Sequence, residues 1–430
     1  MKKLFTLTVI LIMSGNLHSQ SDALINYRNI FRKAEIAKQQ NDIKTAIDCY
    51  LQLLKIIPEK PSLNYNIAKL YALKKDSNNA IKYFEKALAL GYIINDDLDP
   101  AFDCIKKLAG YSNILRLIRE MKKPIDNSET AFKIPEKDLL PEGITYDPVG
   151  NCFYVGSLWK CKILKITQDG KISDFIKEKQ DGLRSVAGVH VDVTRRVLWA
   201  VSFVQNPWSK VAPDEVGWSV VFKYNLASGK LIKKYELGST NKSHLFNDLV
   251  VLTNGDIFIT DTFTGQIFII ANDKDTLEKF IEGDNFMYPN GITVDDNEKF
   301  LYVANSNGTF IIDISSRYVS QLAHPDDVAL CDIDGMYFYD NSLVCVQNGI
   351  NRICRFYLNT TKDSVTSVEL IETQNPNFIL PTTGCLSEDN FYYIANSQAY
   401  SIDKDGSIFS DENLKEVIIL RAELKKYFHR

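Results

Sequence analysis

The feature that most constrains this chain is a repeat of short apolar segments over its C-terminal two thirds. Each copy opens with a polar or small residue followed by Gly or Asp, then an alternating apolar strand, a turn and a second aliphatic or aromatic strand. The copies begin at Glu142, Ala187, Asn247, Asn290, Asp334 and Thr383. A period in the forties made of short strands is typical of a β-propeller, in which each copy forms one four-stranded blade. The sequence therefore predicts a mainly β fold with six blades.

Closing such a ring requires one more strand, because an open sheet edge exposes unpaired backbone groups. The apolar segment from Ala131 to Ile134 lies just ahead of the first copy. We expect it to complete the last blade from outside. The composition changes near Pro124, so the predicted propeller domain covers residues 125–430.

Residues 21–124 have a helical pattern that also repeats. Ala46 and Tyr50 recur 34 residues later as Ala80 and Phe84. A 34-residue period with small residues where helices cross resembles the tetratricopeptide repeat. Because two repeats bury little surface, we expect residues 98–121 to add a closing helix pair. The resemblance implies a surface for a protein or peptide partner, while packing on the neighbouring domain is an alternative that stays open.

The N-terminus carries a targeting pattern. Lys2 and Lys3 precede an apolar run of about ten residues, and the small residue Ser19 follows a short polar stretch. This pattern predicts a secretory signal peptide over residues 1–20, which is too short to span a bilayer. The expected location is periplasmic or extracellular. A buried N-terminal helix is the alternative interpretation.

The net charge limits which partners the chain can bind, and the cysteine pattern bears on whether disulfides form. Fifty basic and 54 acidic side chains give a net charge of -4, so the chain lacks the positive field that nucleic-acid binding requires. Outside the N-terminus no long apolar run predicts a membrane span. The eight cysteines follow no CxxC or zinc spacing, so disulfides and buried free thiols both stay open.

The residues that open the six copies are candidates for a site on the propeller axis. The innermost strand of each blade lines the central channel, so equivalent residues face the same axis. This ring contains the carboxylates of Glu142 and Asp334, the carboxamides of Asn247 and Asn290, and the hydroxyl of Thr383. Asn-Gly and Asp-Gly are ordinary turn pairs when they occur singly. Their shared register predicts an oxygen-lined site for Ca²⁺, with Mg²⁺, Mn²⁺ or Zn²⁺ as alternatives.

Short motifs around these positions resemble a known family. They are PEG at 141–143, FND at 246–248, PNGI at 289–292 and DGM at 334–336. The C-terminal part is similar to the regucalcin, gluconolactonase and luciferin-regenerating enzyme family of six-bladed propellers, and more distantly to paraoxonases and strictosidine synthase. The resemblance implies a divalent cation held by Glu142, Asn290 and Asp334, with Asn247 beside it or on the substrate. It also implies hydrolysis of a lactone or related ester, with Asp334 as the catalytic base.

Two departures from the family pattern affect the substrate. Where regucalcin-type enzymes place an Arg two residues before the Asn of FND, this chain has Leu245, preceded by His244. Where paraoxonase-like enzymes open the second copy with His, this chain has Ala187. Sugar lactones are therefore not the expected substrates. We expect Asn247, His244 and Thr383 to contact a small-molecule substrate, while His244 is also compatible with a core position.

The longest spacing lies between the second and third copies. Its excess falls at residues 204–217, which contain Trp208 and Pro213. In propeller topology this loop returns to the face on which the axis residues begin. Loops of this length are often lids, so we expect Trp208 to supply an aromatic wall for a hydrophobic or ring-shaped substrate. A surface insertion is the alternative.

These patterns together predict an exported two-domain protein with a cation-dependent hydrolase site. The main alternative is a non-catalytic propeller that binds a ligand while its helical repeats recruit a partner. A metal-dependent oxidoreductase or isomerase on the same scaffold is a third interpretation, because propellers host many activities.

Overall fold

Helices and strands occupy two successive parts of the chain. The computed structural model describes residues 22–94, 98–209, 211, 215–237, 243–281, 286–403 and 406–427. The predicted signal peptide at residues 1–20 lies outside the described residues. Across these ranges, no helix is long and apolar enough to cross a membrane.

The helical part begins with two helix pairs. Its α-helices are α1 (Asp22–Gln39), α2 (Ile43–Ile56), α3 (Pro61–Leu73), α4 (Ser77–Ala89) and α5 (Tyr111–Met121). Asp42 and Asp76 precede α2 and α4, and each carboxylate accepts a hydrogen bond from a backbone N–H in the first turn, at 3.1 and 3.2 Å. Ala46 and Ala80 are fully buried where the helices cross. The 34-residue period is therefore a repeat of both capping and packing.

Residues 98–121 differ from the expected helix pair. Pro100–Ile105 forms a 3₁₀ helix, and only α5 is an α-helix. Phe102 and Ile105 are both fully buried. A 3₁₀ turn of three residues places these two side chains on one side of the helix, where both pack into the core.

The strand part is a six-bladed propeller of four-stranded antiparallel sheets. The first strand after the helices is β1 (Glu129–Ile134). Blades 1 and 2 consist of β2 (Pro141–Asp147), β3 (Cys152–Ser157), β4 (Ile163–Thr167), β5 (Ile172–Ile176), then β6 (Ser185–Asp192), β7 (Val197–Phe203), β8 (Ser219–Asn225) and β9 (Leu231–Glu236). Blades 3 and 4 consist of β10 (Phe246–Val251), β11 (Ile257–Asp261), β12 (Gln266–Ala271), β13 (Thr276–Ile281), then β14 (Ile292–Val294), β15 (Phe300–Asn305), β16 (Gly308–Asp313) and β17 (Val319–Gln321). Blades 5 and 6 consist of β18 (Met336–Phe338), β19 (Ser342–Gln347), β20 (Arg352–Leu358), β21 (Val365–Thr373), then β22 (Gly384–Ser387), β23 (Asn390–Ile394) and β24 (Val417–Glu423).

The ring closes as the sequence predicts. β1 pairs with β24 in antiparallel register, with Phe132 opposite Ile419, and so becomes the outer strand of blade 6. The last blade thus combines strands from both ends of the propeller segment. This closure gives blade 6 the same four strands as the other blades and joins the two ends of the propeller segment.

The hydrophobic core lies between neighbouring blades. Every residue of β3, β7 and β19, each the second strand of its blade, is buried. These strands are mostly apolar because both of their faces are covered by adjacent sheets. All eight cysteines are free thiols, and seven of them are buried. Of the two alternatives for the cysteines, the structure therefore has buried thiols.

Candidate functional site

The first strands of all six blades begin at one face of the propeller, which we call the upper face. Adjacent antiparallel strands alternate in direction. The connections into the first strands and those between second and third strands therefore lie at the upper face. The predicted axis residues stand where the first strands begin, at the upper end of the channel.

In blades 1 to 3 the axis residues lie in β-bulges. The pairing of the first and second strands shifts register across Glu142–Gly143, Ala187–Gly188 and Asn247–Asp248. A bulge takes residues out of the regular ladder and redirects their side chains, and bulges are common beside active sites. In these three blades the repeat pattern found in the sequence is thus a repeat of bulges.

In blades 4 and 5 the equivalent residues precede the first strand. The backbone N–H of Asn290 donates to the carbonyl of Ala304 at 2.9 Å, and that of Asp334 donates to the carbonyl of Val346 at 2.8 Å. Both contacts reach the second strand of the same blade. Asn290 and Asp334 therefore have matching backbone positions in neighbouring blades.

The glycine after the axis residue lets neighbouring blades approach closely. A Cβ atom on Gly143 would lie 2.2 Å from the carbonyl oxygen of Ala187, and one on Gly291 would lie 2.4 Å from that of Asp334. Real Cβ atoms do not approach backbone oxygens this closely. Each glycine therefore packs against the axis position of the next blade, which holds the axis residues at a common height.

The ring of contacts continues around the channel. The Thr260 hydroxyl of blade 3 donates to the carbonyl of Asn290 in blade 4, at 2.8 Å. The Thr383 hydroxyl of blade 6 donates to the carbonyl of Glu142 in blade 1. The structure thus brings the predicted axis positions together at one level of the channel.

Glu142 lies in an electrostatically unfavourable environment. Burial raises the pKa of Glu142 well above its ordinary value, and the charges of Asp334 and Asp248 raise it further. Glu142 and Asp334 are therefore near enough for their charges to repel. The sequence prediction that these two carboxylates share the channel agrees with this arrangement.

Asp334 is held by two carboxamides. Its Oδ1 accepts a hydrogen bond from Asn290 Nδ2, and its Oδ2 accepts one from Asn348 Nδ2, both at 2.6 Å. Burial raises the pKa of Asp334 to about 7, against the lowering effect of these two hydrogen bonds. The carboxylate therefore has a fixed orientation and a proton affinity suited to neutral pH.

Sequence reasoning missed Asp248 and Asn348. Asp248 occupies the position at which the other five blades have glycine, and its carboxylate accepts hydrogen bonds from the backbone N–H groups of Leu249 and Ile292, at 2.9 and 3.3 Å. Burial raises its pKa to about 7. The break in the glycine pattern was a usable signal for Asp248. Asn348 directly follows the second strand of blade 5, and its contact with Asp334 was not predicted.

Two further predicted residues make contacts within the ring. Asn247 Nδ2 donates to the hydroxyl of Thr262 at 3.0 Å, and that hydroxyl donates to the carbonyl of Pro289 at 2.6 Å. Thr383 uses its hydroxyl on the Glu142 backbone, as described above. These contacts position the ring, and direct substrate contact by Asn247 or Thr383 stays a prediction.

His244 is a buried residue on the connection into blade 3. Its Nδ1 is hydrogen-bonded to Asp261 Oδ2, and Asp261 Oδ1 also accepts from the backbone N–H of Leu245 at 2.9 Å. This pairing orients the imidazole. His190 lies in the first strand of blade 2, and burial lowers its pKa to about 4. A role for His244 in substrate binding stays a prediction.

The loop after β7 crosses the upper face. Trp208 Nε1 donates to the carbonyl of Ala399 at 2.8 Å, and the indole lies 6.3 Å from the ring of Tyr400. Ala399 and Tyr400 belong to the connection between the second and third strands of blade 6. Trp208 therefore spans from blade 2 to blade 6 above blade 1, while Pro213 of the same loop lies outside the described residues. Its contact with substrate stays a prediction.

The side chains available as ligands in the ring limit which cation could bind there. Among the residues that the structure describes, no three His, Cys, Asp or Glu side chains lie together so that they could hold a metal ion by themselves. Any ion in the ring would thus also depend on carboxamides such as Asn247 and Asn290. Carboxylate and carboxamide oxygens are ligands that suit Ca²⁺ and Mg²⁺.

Known proteins were compared with the chain both by sequence and by structure, and the match to a family model lies in the helical part. The family model for the tetratricopeptide repeat matches residues 27–60 and 61–90, which confirms the repeats predicted in the helical part. No curated protein sequence matches the chain.

Solved structures align with about two thirds of the chain at low sequence identity. A gluconolactonase from Xanthomonas campestris has a TM-score of 0.47 and 12% identity over 69% of this chain and 95% of its own. A luciferin-regenerating enzyme has a TM-score of 0.46 and 12% identity over 70% and 95%. Virginiamycin B lyase from Staphylococcus aureus has a TM-score of 0.45 and 16% identity over 66% and 86%. Similarities this distant concern the fold alone, because one architecture supports many reactions.

Proposed function

We propose that this protein is a divalent-cation-dependent hydrolase of lactones or related esters. The observation that carries the proposal is the shared ring position of Glu142, Asn247, Asn290 and Asp334. Two carboxylates that repel each other stand beside two neutral amides at one level of the channel. A positive ion between them would remove this repulsion.

The donor set fits a hard cation. All four side chains offer oxygen, which favours Ca²⁺, Mg²⁺ or Mn²⁺ over Zn²⁺, the ion that prefers nitrogen and sulfur. When bound, such a cation supplies charge stabilisation for an ester carbonyl and makes water more acidic. Glu142, Asn247, Asn290 and Asp334 are the residues that would hold it.

Asp334 is our candidate for the base. The base role rests on the position of the carboxylate, because a cation bound to Asp334 would lower the pKa of about 7 that burial gives this group. Asn290 and Asn348 fix the direction of its two oxygens. Each carboxylate oxygen has a second lone pair, so Asp334 retains the capacity to accept a proton from water.

The test uses the full-length protein after chelation and reloading with Ca²⁺, Mg²⁺, Mn²⁺ or Zn²⁺. Hydrolysis is measured on a panel of lactones and aryl esters. We expect Asp334→Asn to lower kcat/KM by about 10² to 10⁴, the range contributed by general base catalysis. We expect Glu142→Gln to lower kcat/KM by weakening cation binding. Asp192→Asn is the matched control, since Asp192 is a buried carboxylate at the far end of the first strand of blade 2.

Three outcomes can be distinguished. Turnover that survives both channel substitutions would contradict the mechanism. Cation binding without turnover on any substrate would favour the non-catalytic binding protein. Loss of turnover in Asp192→Asn as well would mean that the effect is one of folding.

We also propose that the chain is exported. The pattern over residues 1–20 supports this, and Edman sequencing of the mature protein tests it. The expected N-terminus lies near Ser19 to Ser21. A mature protein that begins at Met1 would contradict export by this signal.

A further inference from the structure

The helical part packs against the upper face of the propeller. Within the described residues its contacts fall on the connections into blades 4 and 5 and on the start of β20 in blade 5. The end of α4 comes close to β20, since a Cβ atom on Gly91 would lie 2.8 Å from Arg352 Nη1. Leu90 packs with Ala329 and Cys331 in a small apolar cluster. The helical part therefore touches the same face as the axis ring.

The connection into blade 5 is fixed from the helical side. Glu59 Oε2 accepts a hydrogen bond from the backbone N–H of Leu330 at 3.0 Å, and Glu59 Oε1 lies 2.6 Å from His324 Nε2. Lys60 forms a largely buried ion pair with Asp332. Asp332 precedes Asp334 by only two residues, so this ion pair anchors the backbone that leads directly to the axis carboxylate.

The propeller holds the same connection from the opposite side. Gln347 Nε2 donates to the carbonyl oxygens of Ala329 and Cys331, at 2.9 and 2.7 Å. Gln347 lies in the second strand of blade 5. The segment before Asp334 is therefore clamped between the helical part and β19.

The connection into blade 4 is fixed in a similar way. Met287 packs into the hydrophobic cluster of α1, α2 and α3. The hydroxyl of Tyr288 accepts a hydrogen bond from Arg28, whose guanidinium lies 5.1 Å from the centre of the Tyr288 ring. Tyr288 precedes Asn290 by two residues, and Asn290 donates to Asp334 at 2.6 Å. The helical part thus contacts the two connections that carry this hydrogen-bonded pair.

We propose that the helical part is a positioning element of the propeller site, in which Lys60 and Arg28 fix the backbone positions of Asp334 and Asn290. This inference rests on the proposed function, because it concerns the same cation site. It assigns the tetratricopeptide-like repeats an intramolecular task in addition to any partner. Lys60 and Arg28 act through the connections that they hold, since their contacts described above fall on Asp332 and Tyr288, each two residues before its axis residue.

The experiment measures Mn²⁺ affinity by calorimetry on the full-length protein, well below the melting temperature. We expect Lys60→Met and Arg28→Met each to weaken Mn²⁺ binding about tenfold. Lys86→Met is the matched control, because Lys86 donates to the carbonyl of Asp326 in the same connection, eight residues before Asp334 instead of two. A purely stabilising interface would lower the melting temperature in all three variants without changing Mn²⁺ affinity.

A second readout is independent of the cation. Hydrogen exchange of residues 329–336 in the chelated protein should accelerate in Lys60→Met and stay unchanged in Lys86→Met. If Lys60→Met does not fold, Arg28→Met tests the same inference through residues 287–292. Wild-type Mn²⁺ affinity in both variants would overturn the inference and leave the proposed function intact. Failure of the wild-type protein to bind Mn²⁺, Ca²⁺ or Mg²⁺ would instead overturn the proposed function.

Discussion

The two sides of the axis ring are built differently. On the side of blades 4 and 5, Asn290 and Asp334 share a hydrogen bond, Asn348 supports the carboxylate, and the helical part holds the connections that precede them. On the side of blades 1 and 2, Glu142 is followed around the ring by Ala187, which offers no ligand atom beyond its backbone. We call these the braced side and the open side.

We therefore expect the two sides of the ring to have different roles in the site. The braced side fixes the candidate base and its amide partners before any ligand arrives. The open side lies beneath Trp208, which spans from blade 2 to blade 6. A site with one rigid wall and one small-residue wall can orient a reacting group while admitting substrates of varied shape. Three sets of substitutions test this comparison.

The largest effect is expected for alanine in place of a ring glycine. Gly291→Ala places a methyl group against the Asp334 carbonyl on the braced side, and Gly143→Ala places one against the Ala187 carbonyl on the open side. The contact would be 2.2 Å at Gly143 and 2.4 Å at Gly291. These distances alone predict that Gly143→Ala lowers the free energy of unfolding at least as much as Gly291→Ala. Because the braced side cannot relax, we expect Gly291→Ala to cost more, about 2–3 kcal/mol of unfolding free energy.

Urea unfolding measures this difference. Gly110→Ala is the control, since the atoms nearest to its added methyl are side-chain atoms of Ile81 and Glu85, the closest at 3.3 Å. A larger loss for Gly143→Ala than for Gly291→Ala would show that the helical part does not stiffen its side of the ring.

An intermediate effect is expected for the hydrogen bonds that support each carboxylate residue. Asn348→Ala removes a donor to the Asp334 carboxylate, and Thr383→Val removes a donor to the Glu142 backbone. Hydrogen bonds to charged groups contribute about 1.5–3 kcal/mol and neutral ones about 1 kcal/mol. We therefore expect Asn348→Ala to weaken cation binding about tenfold and Thr383→Val by less, as measured by calorimetry. Equal losses in the two variants would remove the distinction between the sides.

The smallest effect is a pH dependence of the helical docking. The hydrogen bond to Glu59 raises the pKa of His324, with the backbone of Pro325 and the charge of Asp326 acting in the same direction. A raised folded-state pKa means that this contact stabilises the protein fully below the unfolded pKa of about 6.5, and that the stabilisation is lost as pH rises through the folded pKa. The expected contribution is up to about 1 kcal/mol.

Thermal unfolding of wild type and His324→Gln across pH 5–9 checks this sign. The two proteins should differ most at low pH and converge at high pH. A difference that grows with pH would contradict the assigned contact between Glu59 and His324.

Much of the propeller and its ring could be predicted from the sequence. Blade number, the closing strand near Ala131 and the ring position of Glu142, Asn290 and Asp334 all follow from a periodic pattern that each copy carries locally. The 3₁₀ helix at Pro100–Ile105 could not be predicted. A segment this short is compatible with either helix type until tertiary packing determines which of its side chains are buried. Asn348 could not be predicted either, since its role depends on a connection meeting Asp334 in space.

The sequence by itself determined the two kinds of repeat and the chemical character of the axis, because strand alternation, helix capping and bulge glycines act over a few neighbouring residues. Only the tertiary structure decided that Lys60 meets Asp332, that Arg28 meets Tyr288 and that all eight cysteines stay free. These contacts join segments far apart in the chain. Their formation depends on how whole blades and helices pack, and no local pattern encodes that packing.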